Sequence, residues 1–132
     1  AAIMRGWATA AEGDAVAGAA EIRQGLVDWQ ATGSQLGMTY FLALLADALA
    51  GAGDRDGALE ILREATAIAH EKGEAFWLPE LHRQQAQLLA DLGATDAAEV
   101  ELTQAVAIAT RHGAKALQAR AAATRQRLAP SR

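Results

Sequence analysis

The chain has 132 residues, of which 52% are hydrophobic but only 5% aromatic, and its formal net charge is −4. Thirty-five positions are alanine, so the apolar fraction is mostly a small side chain of high helix propensity; the β-branched and aromatic residues that a sandwich or barrel needs are too few. The absence of cysteine excludes disulfides and thiolate metal sites, and the acidic balance lacks the basic footprint of a nucleic-acid-binding domain.

Six glycines punctuate the chain at intervals of twenty residues: Gly13, Gly33, Gly53, Gly73, Gly93 and Gly113. A glycine just past a helix end adopts the left-handed conformation at low steric cost, so this ladder predicts six helix stops and seven helices. The first, near 1–12, opens with Ala1-Ala2-Ile3-Met4 and no N-cap, and at about half the length of the others it is expected to be cut from a longer array. The second, near 14–32, starts on Asp14, and the third, near 34–52, on Ser34; both side chains accept N-cap hydrogen bonds. The fourth, near 55–72, follows Asp54 and carries Leu59, Leu62, Ala65, Thr66 and Ala69 at helical spacing, with Lys72 in its last turn facing the negative end of the dipole. Pro79 predicts that the fifth, near 76–92, starts late at Trp77 or bends. The sixth, near 95–112, is expected to be capped by Thr95, to bury Leu102, Ala105, Val106 and Ala109, and to end on Arg111 and His112. The seventh, near 114–128, is basic. Residues 1–101 hold six Lys/Arg and all 16 acidic residues, whereas residues 102–132 hold six Lys/Arg and no acid.

Overlaying the stretch from Gly53 on the stretch from Gly93 aligns Ala58 with Ala98, Leu62 with Leu102, Ala65 with Ala105, and Ala67-Ile68-Ala69 with Ala107-Ile108-Ala109. Two twenty-residue halves therefore make one forty-residue repeat. Connections of one to three residues force sequential helices to run antiparallel against their neighbours. The expected fold is all-α, an antiparallel helix-pair solenoid of about seven helices, with repeats near 1–33, 34–73 and 74–113 and a terminal helix over 114–128; stacking supplies a core that no single repeat buries alone.

Little in the chain suggests chemistry. Gly51-x-Gly53-x-x-x-Gly57 lacks the Lys-Ser/Thr of a phosphate loop and follows no strand. His82 has no second histidine four residues on, so no metal site is expected, and His70 and His112 belong to helix ends. Carboxylate pairs such as Asp54/Asp56 and Glu60/Glu64 occupy wet helix faces, and Trp29, Trp77 and Phe76 suit helix packing better than a cofactor box. No apolar run approaches the ~20 residues of a membrane span and no signal peptide opens the chain, so a cytoplasmic protein without membrane contact is expected. Ten arginines against two lysines, among so many alanines and glycines, point to a GC-rich bacterial genome.

The second helix of each pair carries small-x-x-x-large-x-x-small: Ala58, Leu62, Ala65; Ala98, Leu102, Ala105; and Gly18, Ile22, Gly25. Gly6, Ala46 and Ala86 supply a small residue on the first helices. The pattern resembles tetratricopeptide repeats, from which it departs in its period of forty and in having His70 and Thr110 where that family closes with proline. Gly6-Trp7-Ala8, Tyr40-Phe41-Leu42-Ala43-Leu44-Leu45-Ala46 with Ala48-Leu49-Ala50, and Phe76-Trp77 followed by Glu80-Leu81-His82-Arg83 and Leu88-Leu89 resemble the C-terminal helical repeats of large bacterial signalling ATPases. In that family an adenylate/guanylate cyclase or transcriptional-activator domain precedes the ATPase domain; Ala86, where glycine is usual, and Pro79 depart from it.

The resemblance implies a non-catalytic sensor or interaction segment of a multidomain regulator, with no catalytic residues and no cofactor. In tetratricopeptide geometry the first helices line a concave groove. One row of it would be Trp7, Asp47, Gln87 and Arg127, another Tyr40, Glu80 and Arg120, with Arg83 beside them. Aromatics and arginines so arranged suit a protein or peptide partner, or adjacent domains of the parent chain. Two other expectations stand beside this one: a small ligand held near Trp7, Tyr40 and Asp47, and a spacer that forms homo-oligomers through exposed solenoid ends.

Overall fold

The computed structural model describes residues 2–31, 38–72 and 77–128. They form seven helices and, among the described residues, no strand: α1 (Ala2–Ala11), α2 (Ala15–Ala31), α3 (Met38–Gly51), α4 (Arg55–Lys72), α5 (Leu78–Asp91), α6 (Thr95–Arg111) and α7 (Lys115–Leu128). Each coincides with a helix predicted from the glycine ladder, to within a few residues at its ends. Gly33, Ser34, Gly73 and Phe76 lie outside the described residues.

The four described ladder glycines all take positive φ: +106° at Gly13, +90° at Gly53, +84° at Gly93 and +65° at Gly113. Each closes its helix with the same pair of bonds. After α1, the Gly13 N–H donates to the Ala10 carbonyl (3.1 Å) and the Asp14 N–H reaches back to Thr9 (3.2 Å). The equivalent reach-back bonds run from Asp54 to Leu49 (2.9 Å), Ala94 to Leu89 (2.8 Å) and Ala114 to Ala109 (2.9 Å). Two otherwise orphaned carbonyls are satisfied at each stop, and the chain is turned back within three residues.

Starts follow from the same turns. Asp14 and Asp54 cap α2 and α4, accepting from the N–H groups of Ala17 (3.1 Å) and Gly57 (3.0 Å). At α6 the expectation for Thr95 is corrected: Ala94 occupies the N-cap, without a side-chain bond, and Thr95 is the first helical residue. The reason is geometric, because the stop consumes the glycine and one further residue, and that further residue is the cap. Pro79 sits in the first turn of α5 behind the N-cap Trp77, where a backbone N–H has no intrahelical acceptor, so the helix starts late and needs no bend.

The chain divides into two compact units, Ala1–Ala65 and Thr66–Arg132. In the first, α1 packs along α2 and α3 packs on both. The α1–α2 crossing is backbone to backbone: a Cβ added to Gly6 would lie 2.6 Å from the Gly18 carbonyl oxygen, and one added to Gly18 would lie 2.5 Å from that of Gly6. In the second unit α5 packs along α6, and α7 packs on both. The larger residue of each small-large-small signature, Ile22, Leu62 and Leu102, is fully buried, as is Leu81. The small residues around them, Ala58, Ala65, Ala98 and Ala105, are buried as well, as are Ala46 and Ala86 on the first helices of their pairs. At these positions alanine stands where helices pack, and each large side chain fills the space that the small ones leave.

Candidate functional site

Within the second unit Glu80 meets Arg120 and Gln87 meets Arg127, members of the same expected row in each case. Glu80 on α5 is 4% exposed, and its carboxylate is held by two guanidinium groups. Arg83, one turn along the same helix, donates through Nε to Oε2 (2.9 Å) and through Nη2 to Oε1 (2.5 Å). Arg120 on α7, 56% exposed, places Nη2 2.9 Å from Oε1. Arg83 also reaches the buried Thr124 hydroxyl (3.5 Å). A carboxylate removed from water needs this much compensation, and the two-pronged geometry with Arg83 is the strongest form available. Glu80 is accordingly withdrawn from solvent instead of facing a groove, and Arg83 is half-buried in holding it.

One turn to two turns further along α5, Gln87 accepts from Arg127 Nη2 through Oε1 and donates through Nε2 to Asp91 (3.2 Å). Arg127 is exposed. The Glu80–Arg120 and Gln87–Arg127 pairs are each separated by forty residues, one repeat. Arg125, beside them on α7, bonds Glu99 (2.9 Å) and the Thr103 hydroxyl (2.7 Å) on α6.

In the first unit Trp7 on α1 is 40% exposed and Asp47 on α3 is exposed. Both line a cleft of about 380 Å³ whose remaining walls are alanines of α1, α2 and α3 and Gly51. Tyr40, 41% exposed, lies edge-on to Phe41 (ring centroids 6.0 Å), which in turn meets Trp29 edge-on at 5.4 Å. The first unit thus presents an aromatic cluster on α2 and α3, and a separate small-walled cleft holding one indole and one carboxylate.

One polar cluster was not foreseen. His82 is 7% exposed, and its Nδ1 donates to Glu101 Oε2 across the α5–α6 pair (2.6 Å). Its ring also packs edge-on to His70 at 5.8 Å. Next to it, Gln85 donates to the Thr66 hydroxyl (2.7 Å). The signal in the sequence is faint: a histidine on an otherwise apolar face, with its carboxylate nineteen residues away on the next helix. Among the described residues no group of three or more His, Asp or Glu is placed to hold a metal ion. No described helix is long and apolar enough to cross a membrane.

No family model matches the chain. It is 37% identical over 120 residues to an uncharacterized protein of Rhizobium meliloti (strain 1021), an alignment that takes in 90% of this chain. The chain spans only about an eighth of that relative, 12% of its length. No solved structure matches.

Proposed function

We propose that the chain is a non-catalytic interaction module, a tetratricopeptide-like repeat segment of a bacterial signalling or transcriptional regulator, which holds a protein or peptide partner on the face formed by its first helices. The observation that carries this reading is the spacing of the contacts in the second unit. Glu80 meets Arg120 and Gln87 meets Arg127, each pair one forty-residue interval apart, which supports reading α5 and α7 as neighbouring first helices of a repeat array. Rows of first-helix side chains are how stacked helix pairs present a continuous binding face. Left-handed glycine stops at 13, 53 and 93 and the close Gly6–Gly18 crossing support the repeat reading. The long relative, of which the chain matches one short stretch, is consistent with a module inside a larger protein.

The test uses the exposed members of the rows. Asp47→Ala combined with Arg127→Ala removes two solvated charges from two helices, and surface changes of that kind stay within about 0.5 kcal/mol of wild-type stability. Circular dichroism melts are expected to superimpose on wild type, while quantitative mass spectrometry of proteins retained from a bacterial lysate shows specific partners lost with the variant. Identical retention by the two proteins would remove the reading.

A further inference from the structure

We infer that the cleft walled by α1, the start of α2 and the end of α3 is a receptor for a cationic side chain, a guanidinium or ammonium, carried on a segment of a partner protein. The inference rests on the interaction reading above and adds the partner's chemistry at one place.

Two clefts at equivalent repeat positions, one in each unit, make the argument. The first-unit cleft contains Trp7 and Asp47; the second-unit cleft, of about 620 Å³, is lined by α5, α6 and α7 residues that include Arg127, which lies eighty residues after Asp47. Ala10, Ala11 and Ala15 of the first correspond in the same way to Ala90, Asp91 and Thr95 of the second. In the second unit the cleft carries its own cations, Arg125 and Arg127, beside Asp91, Asp96 and Glu99. Arg125 pairs with Glu99 at 2.9 Å, and Arg127 bonds Gln87, the counterpart of Trp7. In the first unit the row position filled by Arg127 holds a carboxylate instead, and the cleft has no basic residue. Among the described residues neither Trp7 nor Asp47 has a hydrogen bond, ion pair or ring contact with another side chain.

What the first cleft lacks is a cation, and the groups left open are the two that bind one. A carboxylate supplies a charge-assisted acceptor, and an indole face attracts guanidinium or ammonium most strongly among aromatic rings. Walls of alanine and glycine leave about 380 Å³, ample for the alkyl stem of an arginine or lysine beside the ring. A small, half-open site with one ion pair and one ring binds such a side chain weakly by itself, in the millimolar range, as one anchor of a longer segment.

The test is a titration of the ¹⁵N-labelled chain with Ac-Gly-Arg-Gly-NH2 at low ionic strength, followed by amide chemical shifts. Saturable shifts are expected at residues 7–15 and 47–51, with the citrulline analogue, which keeps the shape and loses the charge, producing none. Asp47→Asn should weaken binding about tenfold, and Trp7→Leu several-fold. Ala11→Phe fills the cleft from an exposed helix end and should abolish the shifts while leaving Trp7 and Asp47 in place. Equal binding of the citrulline peptide, no saturable shift up to about 10 mM, shifts confined to α5–α7, or an unchanged affinity in Asp47→Asn each overturns the inference. Free arginine binding as tightly as the peptide overturns the partner assignment in favour of a small cationic metabolite. If lysate partners are still lost with the double charge variant while no arginine peptide binds, the cleft assignment fails alone and the interaction reading stands.

Discussion

Arg83 and Arg120 share one carboxylate but hold it from different environments, which separates their energetic roles. The Arg83 side chain is 16% exposed and binds Glu80 through two nitrogens, whereas Arg120 is 56% exposed and binds through one. Removing Arg83 leaves a carboxylate of 4% exposure with a single, solvent-screened partner. Breaking a buried pair by deleting one member typically costs about 3–5 kcal/mol, and an exposed pair contributes about 0–1 kcal/mol. Urea denaturation should therefore show Arg83→Ala losing about 3 kcal/mol and Arg120→Ala under 1 kcal/mol. Equal losses from the two would mean that Glu80 is held symmetrically and is less withdrawn from water than its burial indicates. Sequence spacing set Glu80 and Arg120 one forty-residue interval apart, and the two are in contact, but spacing could not show that the acid would be buried. That depends on how closely α7 lies on α5, a packing distance that a periodic pattern does not encode. Trp7 and Asp47 are likewise one forty-residue interval apart, whereas the cleft that both line is a matter of volume and appears only in three dimensions.

At the scale of the helix, the turns are the most legible part of the chain because a left-handed C′ position has a single preferred occupant. Gly13, Gly53, Gly93 and Gly113 all adopt it, and the residue after each one donates back into the helix it leaves. That same residue opens the next helix, which makes positions 14, 54 and 94 structurally equivalent N-caps. Aspartate fills the first two with a side-chain bond, and alanine fills the third without one. The Thr95 expectation failed because Thr95 is one residue too late to accept from the exposed N–H groups of α6. Ala94→Ser restores the acceptor at a cap whose backbone, with φ −89° and ψ 67°, is already non-helical. It should raise stability by about 1 kcal/mol, read as a higher urea midpoint with an unchanged slope. Thr95→Ala should change little. A stabilising Ala94→Ser would also show that the third repeat tolerates the cap chemistry of the first two. The His82–Glu101 contact lies at the opposite extreme of legibility, since it depends on how α5 and α6 are rotated against each other, which the spacing of the two polar residues does not encode.

Over the whole molecule, charge is segregated along the chain: all 16 acidic residues lie within residues 1–101, and half of the 12 basic ones follow in residues 102–132. Segregated charge favours electrostatic encounter between copies, and exposed Met4, Val16 and Val27 on α1 and α2 add apolar surface. Such an association would be electrostatic in its first approach and therefore screened by salt, because the Debye length falls from about 30 Å at 0.01 M to about 8 Å at 0.15 M. Multi-angle light scattering distinguishes this behaviour from the interaction module proposed above. A spacer that polymerises through its ends predicts a mass that climbs with concentration at low salt and returns toward 13.8 kDa at physiological salt. A constant 13.8 kDa under both conditions leaves the basic end and the Trp7–Asp47 cleft for heterologous partners, as the unpaired carboxylate in that cleft favours. Growth that persists in high salt assigns the contact to apolar helix faces instead, and the charge segregation then has no part in assembly.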